Sequence, residues 1–151
     1  MINKIIIAED HESANLSIEK TIEEFKVSQH DYVFYCDDAL NKILLAKQKG
    51  EPYDLLITDL LFDADGTPQK IGDGYALIRA VRTIQPDIRV LVFTGEDRAV
   101  NINKLYKQYE VDGYVRKARH DIKELKQAFE TLSRGETYYP YAVLQLMRQA
   151  Q

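Results

Sequence analysis

Residues Leu55–Pro68 read LLITDLLFDADGTP. A short apolar run, Leu55–Thr58, stops at an acid, Asp59, and a second acidic string, DADGT, begins at Asp63. A continuous run without polar alternation suits a strand covered on both faces. Both aspartates are candidate nucleophiles for phosphoryl chemistry. Which of them ends the strand decides what the surrounding chain is.

Outward from this stretch the same pattern recurs. KIIIA at 4–8, YVFYC at 32–36, VLVF at 90–93 and Tyr114–Val115 after Val111 are expected strands. Between them, apolar residues repeat at helical spacing. Ile18, Ile22 and Phe25 form one stripe, and Leu40, Ile43 and Leu44 a shorter one closed by Gly50 and Pro52. Leu77, Ala80, Val81 and Ile84 form a third, and Ile102, Leu105, Tyr106 and Tyr109 a fourth. The last is Ile122, Leu125, Phe129 and Leu132. These stripes are core packing. Five strands alternating with five helices predict right-handed crossovers: an α/β fold with a doubly wound, five-stranded parallel sheet and helices on both faces.

Composition narrows the function classes. The 151 residues suit one domain with a full core, and a net charge of -4 argues against a broad electrostatic footprint for nucleic acid. Cys36 is the single cysteine, so no internal disulfide forms; in YVFYC it is expected to be a buried small hydrophobe. No apolar run approaches the ~18 residues of a membrane span. The start, MINKIIIAED, lacks a signal-peptide pattern, and the expected compartment is the cytoplasm.

In open α/β sheets, ligands bind beyond the carboxyl ends of the strands. Those ends carry Glu9-Asp10, Asp59, Thr94 followed by Gly95, and Lys117 three residues after Tyr114. Three carboxylates cannot sit together ionised without a cation, and a hard ion such as Mg²⁺ fits. An aspartate beside that ion can attack a phosphoryl group and become an acyl phosphate. The Lys117 ammonium and the Thr94 hydroxyl would then meet the charge on the equatorial oxygens.

EDH at 9–11, ITD at 57–59, FTG at 93–95 and GYVRK at 113–117 together resemble the receiver domain of two-component response regulators. The resemblance covers about residues 3–134 and implies a flavodoxin-like fold. It implies that Asp59 accepts phosphate from a sensor histidine kinase. It also implies that Mg²⁺ is held by Glu9, Asp10, Asp59 and the backbone carbonyl of Leu61. Thr94 would be the switch hydroxyl, Lys117 the phosphate-binding lysine, and Tyr114 the aromatic that changes rotamer. On this reading the chain is a phosphoacceptor switch rather than an enzyme, and phosphorylation shifts the surface around the fourth helix and fifth strand. That surface, or the first and fifth helices, would support a phosphorylation-dependent homodimer.

LLFDADGT at 60–67 resembles a different motif, the nucleophile string of haloacid-dehalogenase-type phosphatases. There Asp63 would be the nucleophile and Asp65 the general acid. Three features favour Asp59. A strand running on to Phe62 would bury Asp59 inside an apolar run. The phosphatase motif normally opens its fold, whereas two strands and two helices precede it here. No late acid pair follows Lys117, since Asp121 and Glu124 fall on a helix. A third alternative, a receiver-like docking module without phosphotransfer, leaves the intact acids, Thr94 and Lys117 unexplained.

Two departures from the family pattern stand out. Asp73-Gly74, which opens the third helix, lies fourteen and fifteen residues after Asp59. That is about seven more than usual, so 60–73 is expected to hold an irregular insertion. Ala118 follows the lysine where a proline is usual. Leu61, two residues past Asp59, sets an apolar side chain beside the path of a hydrolytic water and predicts slow spontaneous dephosphorylation. Residues 1–134 are expected to be the receiver. The stretch 135–151, beginning GETYYPY, resembles the linker of regulators that carry a C-terminal helix-turn-helix. DNA would then be bound only through a domain outside this chain.

Overall fold

The structure, a computed structural model, describes residues 2–96, 98–141, 144, 145 and 148. Among the described residues, ten named elements alternate. They are β1 (Lys4–Ala8), α1 (Glu12–Glu24), β2 (Gln29–Val33), α2 (Cys36–Gln48) and β3 (Leu55–Thr58), then α3 (Gly74–Ile84), β4 (Arg89–Thr94), α4 (Ala99–Lys107), β5 (Gly113–Arg116) and α5 (Asp121–Ser133). The strands pair in parallel in the order β2-β1-β3-β4-β5, the flavodoxin-like doubly wound order.

The sheet sorts its side chains by the two-residue period of a strand. Ile6, Ala8, Leu56, Val90, Val92 and Tyr114 face one layer, with Ile43 of α2, Leu77 and Val81 of α3, and Ile102 and Leu105 of α4. Ile5, Ile7, Leu55, Ile57, Leu91, Phe93 and Val115 face the other, with Ile18 and Ile22 of α1 and Leu125, Phe129 and Leu132 of α5. Both faces are dry, so the continuous apolar runs of the sequence are the expected signature.

Three details differ from the sequence expectation. The second strand lies at Gln29–Val33 rather than 32–36. As the edge strand it pairs only with β1, from Lys4↔Gln29 to Ala8↔Val33, so the length of β1 sets its limits. The end of the apolar run passes into the turn, leaving Phe34 exposed and Cys36 buried in the first turn of α2. Burial pushes the Cys36 thiol up to about 12, in line with an inert core cysteine. Leu44 and Tyr106, counted among the helical stripes, are exposed. On α2 the buried face is Cys36, Ala39, Ile43 and Ala46.

After α5 the chain turns back along the free edge of β5. The Tyr138 N–H donates to the Asp112 carbonyl (2.9 Å) and the Tyr114 N–H to the Tyr138 carbonyl (2.9 Å), forming a parallel bridge between Gly113 and Tyr138. Arg89 donates to the carbonyls of Leu132 and Glu136 (2.9 and 2.7 Å), fixing the turn between them. The first part of the expected linker is therefore built into the sheet edge. The rest of 135–151, expected as a linker or C-terminal helix, falls largely outside the described residues.

Candidate functional site

The register brings the strand ends level. Ala8 pairs with Thr58, Thr58 with Val92, and Thr94 with Arg116. Backbone bonds then carry the ladder past the strands. The Asp59 N–H donates to the Ala8 carbonyl (3.2 Å), the Glu9 N–H to Val33 (3.1 Å) and the Lys117 N–H to Thr94 (2.8 Å). Each functional side chain is thus launched from a fixed point on the rim.

Lys117 Nζ lies 2.7 Å from Asp59 Oδ2 and 2.9 Å from Glu9 Oε2. Asp59 Oδ1 accepts from the Leu60 N–H at 2.7 Å. Glu9 and Asp59 are buried, at 1% and 4% exposure, which carboxylates tolerate only when paired. Burial raises the Glu9 carboxyl above its ordinary value, outweighing its bond to Lys117. At Lys117 burial opposes the charge, but the bonds to Asp59 and Glu9 win and the ammonium is held above its usual range.

Glu9, Asp10, His11 and Asp59 each bring a ligand-type atom within 4.8 Å of the others. The Asp10 Oδ1 atom is buried and receives no hydrogen bond. Three converging carboxylates, with oxygens of Glu9 and Asp10 that accept no hydrogen bond, are a donor set that fits a hard divalent cation such as Mg²⁺. The Leu61 side chain stands exposed at the rim, immediately after buried Leu60.

His11 was within the EDH string, yet sequence reading gave it no role. Its Nδ1 lies 2.9 Å from Glu9 Oε1, 3.0 Å from Asp10 Oδ1 and 3.8 Å from Asp59 Oδ2. The bond to Glu9 raises the imidazole above its ordinary value. The available signal was adjacency to the acid pair, which places an imidazole one residue from Asp10 and two from Glu9.

Thr94 is buried at the end of β4, and its Oγ1 accepts from the Glu96 N–H at 3.4 Å. Tyr114 is fully buried on β5, its ring stacked 6.4 Å from that of Tyr139 at 5°. Tyr139 is a second residue that sequence reading missed, because nothing local shows that the tail returns to β5. Asp63 and Asp65 end no strand. β3 stops at Thr58, and the stretch from Asp59 to Asp73 has neither helix nor strand. The Asp63 carboxylate is 86% exposed, and Asp65 bonds Tyr35 and the Thr67 N–H. The phosphatase arrangement, with Asp63 as a strand-end nucleophile, is not what the chain forms.

Comparison with known proteins agrees with this geometry. No curated protein matches the chain. Among solved structures, the Salmonella typhimurium response regulator RcsB is 24% identical, with a TM-score of 0.78, covering 98% of this chain and 67% of that one. The isolated receiver domain of RcsB from Salmonella enterica serovar Typhimurium, with the phosphomimetic BeF3-, is 23% identical (TM-score 0.77), covering 97% and 99%. A LuxR-family response regulator from Aurantimonas sp. SI85-9A1 is 20% identical (TM-score 0.77), covering 99% and 98%. At these identities the likeness is one of fold. The family that carries the sequence itself is the response regulator receiver domain, matched over residues 5–130, and this chain belongs to it.

Proposed function

We propose that this receiver is a phosphorylation-driven switch in which Asp59 accepts a phosphoryl group from a sensor histidine kinase. The observation that carries it is the placing of Asp59 at the end of β3, 2.7 Å from Lys117 Nζ and beside Glu9, Asp10 and His11. Glu9, Asp10, Asp59 and the Leu61 carbonyl would hold Mg²⁺, which would supply positive charge against the phosphoryl oxygens. A carboxylate oxygen of Asp59 attacks phosphorus. The O–P bond forms as the N–P bond of the donor phosphohistidine breaks, and the imidazole leaves with the electron pair. Lys117, already held by two carboxylates, turns its ammonium to the new oxyanions, and Thr94 turns its hydroxyl to them.

Such a chain is a switch, with at most self-phosphorylation from small donors and slow loss of phosphate. Phosphorylation favours a homodimer. Residues 1–134 are the receiver, and 135–151 lead toward a DNA-binding domain outside this chain that gives the transcriptional output. Among the described residues no helix is long and apolar enough to cross a membrane, and a cytoplasmic setting fits the kinase reading.

Incubation with acetyl phosphate and Mg²⁺, read by intact mass, should add one phosphoryl group that maps to Asp59 and vanishes in Asp59→Asn. No adduct would leave a docking module. A label on Asp63 would restore the phosphatase arrangement.

A further inference from the structure

The insertion after Asp59 is a tied strap. It leaves the sheet at Leu60 and returns at Gly74, whose N–H donates to the Leu60 carbonyl at 2.8 Å, so its ends are pinned together. Phe62 and Ile71, near its two ends, pack against the core. Asp37 in the first turn of α2 accepts from the Ile71 N–H through Oδ1 and the Lys70 N–H through Oδ2, both at 2.9 Å. The Tyr35 hydroxyl donates to Asp65. A solvated loop of this length would gain nothing from ordering so many residues, yet here both oxygens of one carboxylate and a phenol are committed to it.

What the strap reaches is the pocket. The Asp63 N–H donates to Asp10 Oδ2 at 2.9 Å, and the Asp63 carboxylate lies 3.5 Å from His11 Nε2. One oxygen of Asp10 is therefore occupied by the strap, while the other, Oδ1, is buried, accepts no hydrogen bond and lies 3.0 Å from His11 Nδ1 inside the pocket. A carboxylate with one oxygen tied cannot swing about its Cβ–Cγ bond without losing that tie. We propose that the strap is a positioning device for the divalent-ion site. The Asp63 N–H fixes Asp10 so that Oδ1 stays directed into the pocket, and Asp37 is the positioning residue that holds the strap in place. This rests on the reading of Asp10 as a metal ligand, and it gives the insertion a task that no ligand performs.

Calorimetric titration of the whole chain with Mg²⁺ tests it. Asp37→Ala should weaken Mg²⁺ binding by about tenfold, the scale seen when a group orienting a metal ligand is lost. Asp37→Asn, which keeps one carbonyl acceptor, should recover part of the affinity. Tyr35→Phe leaves α2 untouched and should weaken binding less, in the same direction. In amide NMR spectra the Asp63 resonance should lie downfield in the wild type and move upfield in Asp37→Ala, a change that mere loss of stability would not single out. Wild-type affinity in Asp37→Ala overturns the strap's role while leaving the metal site standing. Absence of Mg²⁺ binding by the wild type overturns the site and the strap together.

Discussion

Lys117 is the cation that bridges two buried carboxylates, 2.7 Å from Asp59 and 2.9 Å from Glu9. Replacing it with alanine leaves Glu9 and Asp59, 1% and 4% exposed, facing each other with only the half-exposed His11 imidazole beside them. Removing one partner from a buried ion pair costs far more than the pair is worth, so Lys117→Ala should lower metal-free stability by about 3 kcal/mol in urea unfolding. Mg²⁺ should return part of that loss, because a divalent ion offers the same carboxylates another counter-charge. The pH dependence has a fixed sign. The Lys117 ammonium is held above its ordinary 10.5, so its contribution is complete below that value and disappears as pH rises through the folded one. The wild type and Lys117→Ala should therefore converge in stability in strong alkali. A constant difference across that range would mean that Lys117 acts by packing its stem rather than by its charge.

At the scale of elements, the junction of β3 and α3 sets how an insertion can be tolerated. Asp73 caps α3, its Oδ1 accepting from the Ala76 N–H at 2.9 Å. Gly74 sits so close to β3 that an added Cβ would lie 2.0 Å from the Asp59 carbonyl oxygen and 2.8 Å from Leu60 Cα. Both neighbours are backbone, so they cannot move aside alone. Gly74→Ala should cost about 2 kcal/mol or more and disturb Asp59 itself, visible as a lower melting temperature together with weaker acetyl phosphate labelling. Normal labelling at reduced stability would show that the strap absorbs the shift. The same junction shows what a sequence makes legible. Asp73-Gly74 was recognisable from its likeness to the Asp-Gly that opens the third helix of receivers, and the cap it supplies is a local demand, whereas the close approach of Gly74 to Asp59 is not. β1 and β3 were legible to the residue because burial on both faces leaves no polar interruption. The limits of β2 were not, because an edge strand takes its register from its single neighbour. The strap's ties to Asp37, Tyr35 and Asp10 were invisible for a related reason: each joins residues distant in sequence and needs the folded sheet to bring them together.

Across the whole molecule, β5 stands between the pocket and the tail. Its last residue, Arg116, precedes Lys117, and two residues back along the strand Tyr114 is tied to the tail by backbone and ring together. The Tyr139 hydroxyl donates to the Val111 carbonyl at 2.8 Å, and its ring meets that of Tyr106 on α4 edge-on at 5.3 Å. The tail thus lies over part of the α4–β5 surface, one of the two places where a phosphorylation-dependent dimer was expected. A partner docking on that part has to displace Tyr139, and one docking along α5 meets the tail as well, at Tyr138, whose hydroxyl donates to Glu124 at 3.0 Å. Burial raises the phenols of Tyr138 and Tyr139, aided at Tyr138 by its bond to Glu124. Docking is therefore strongest below the ordinary phenol value and is lost only as pH climbs through the raised ones, so neutral solution keeps the tail in place. If a phosphoryl group on Asp59 repositions Lys117 and Tyr114, the tail must feel it, and by linkage the tail must act on the pocket in return. Beryllofluoride with Mg²⁺ should change amide exchange at Tyr114 and Tyr138, while deletion of 136–151 should shift beryllofluoride affinity by about fivefold. Unaltered exchange at Tyr138, with the same affinity in the shortened chain, would reduce the tail to a static strand-edge cover and leave the signal to pass through α4 alone.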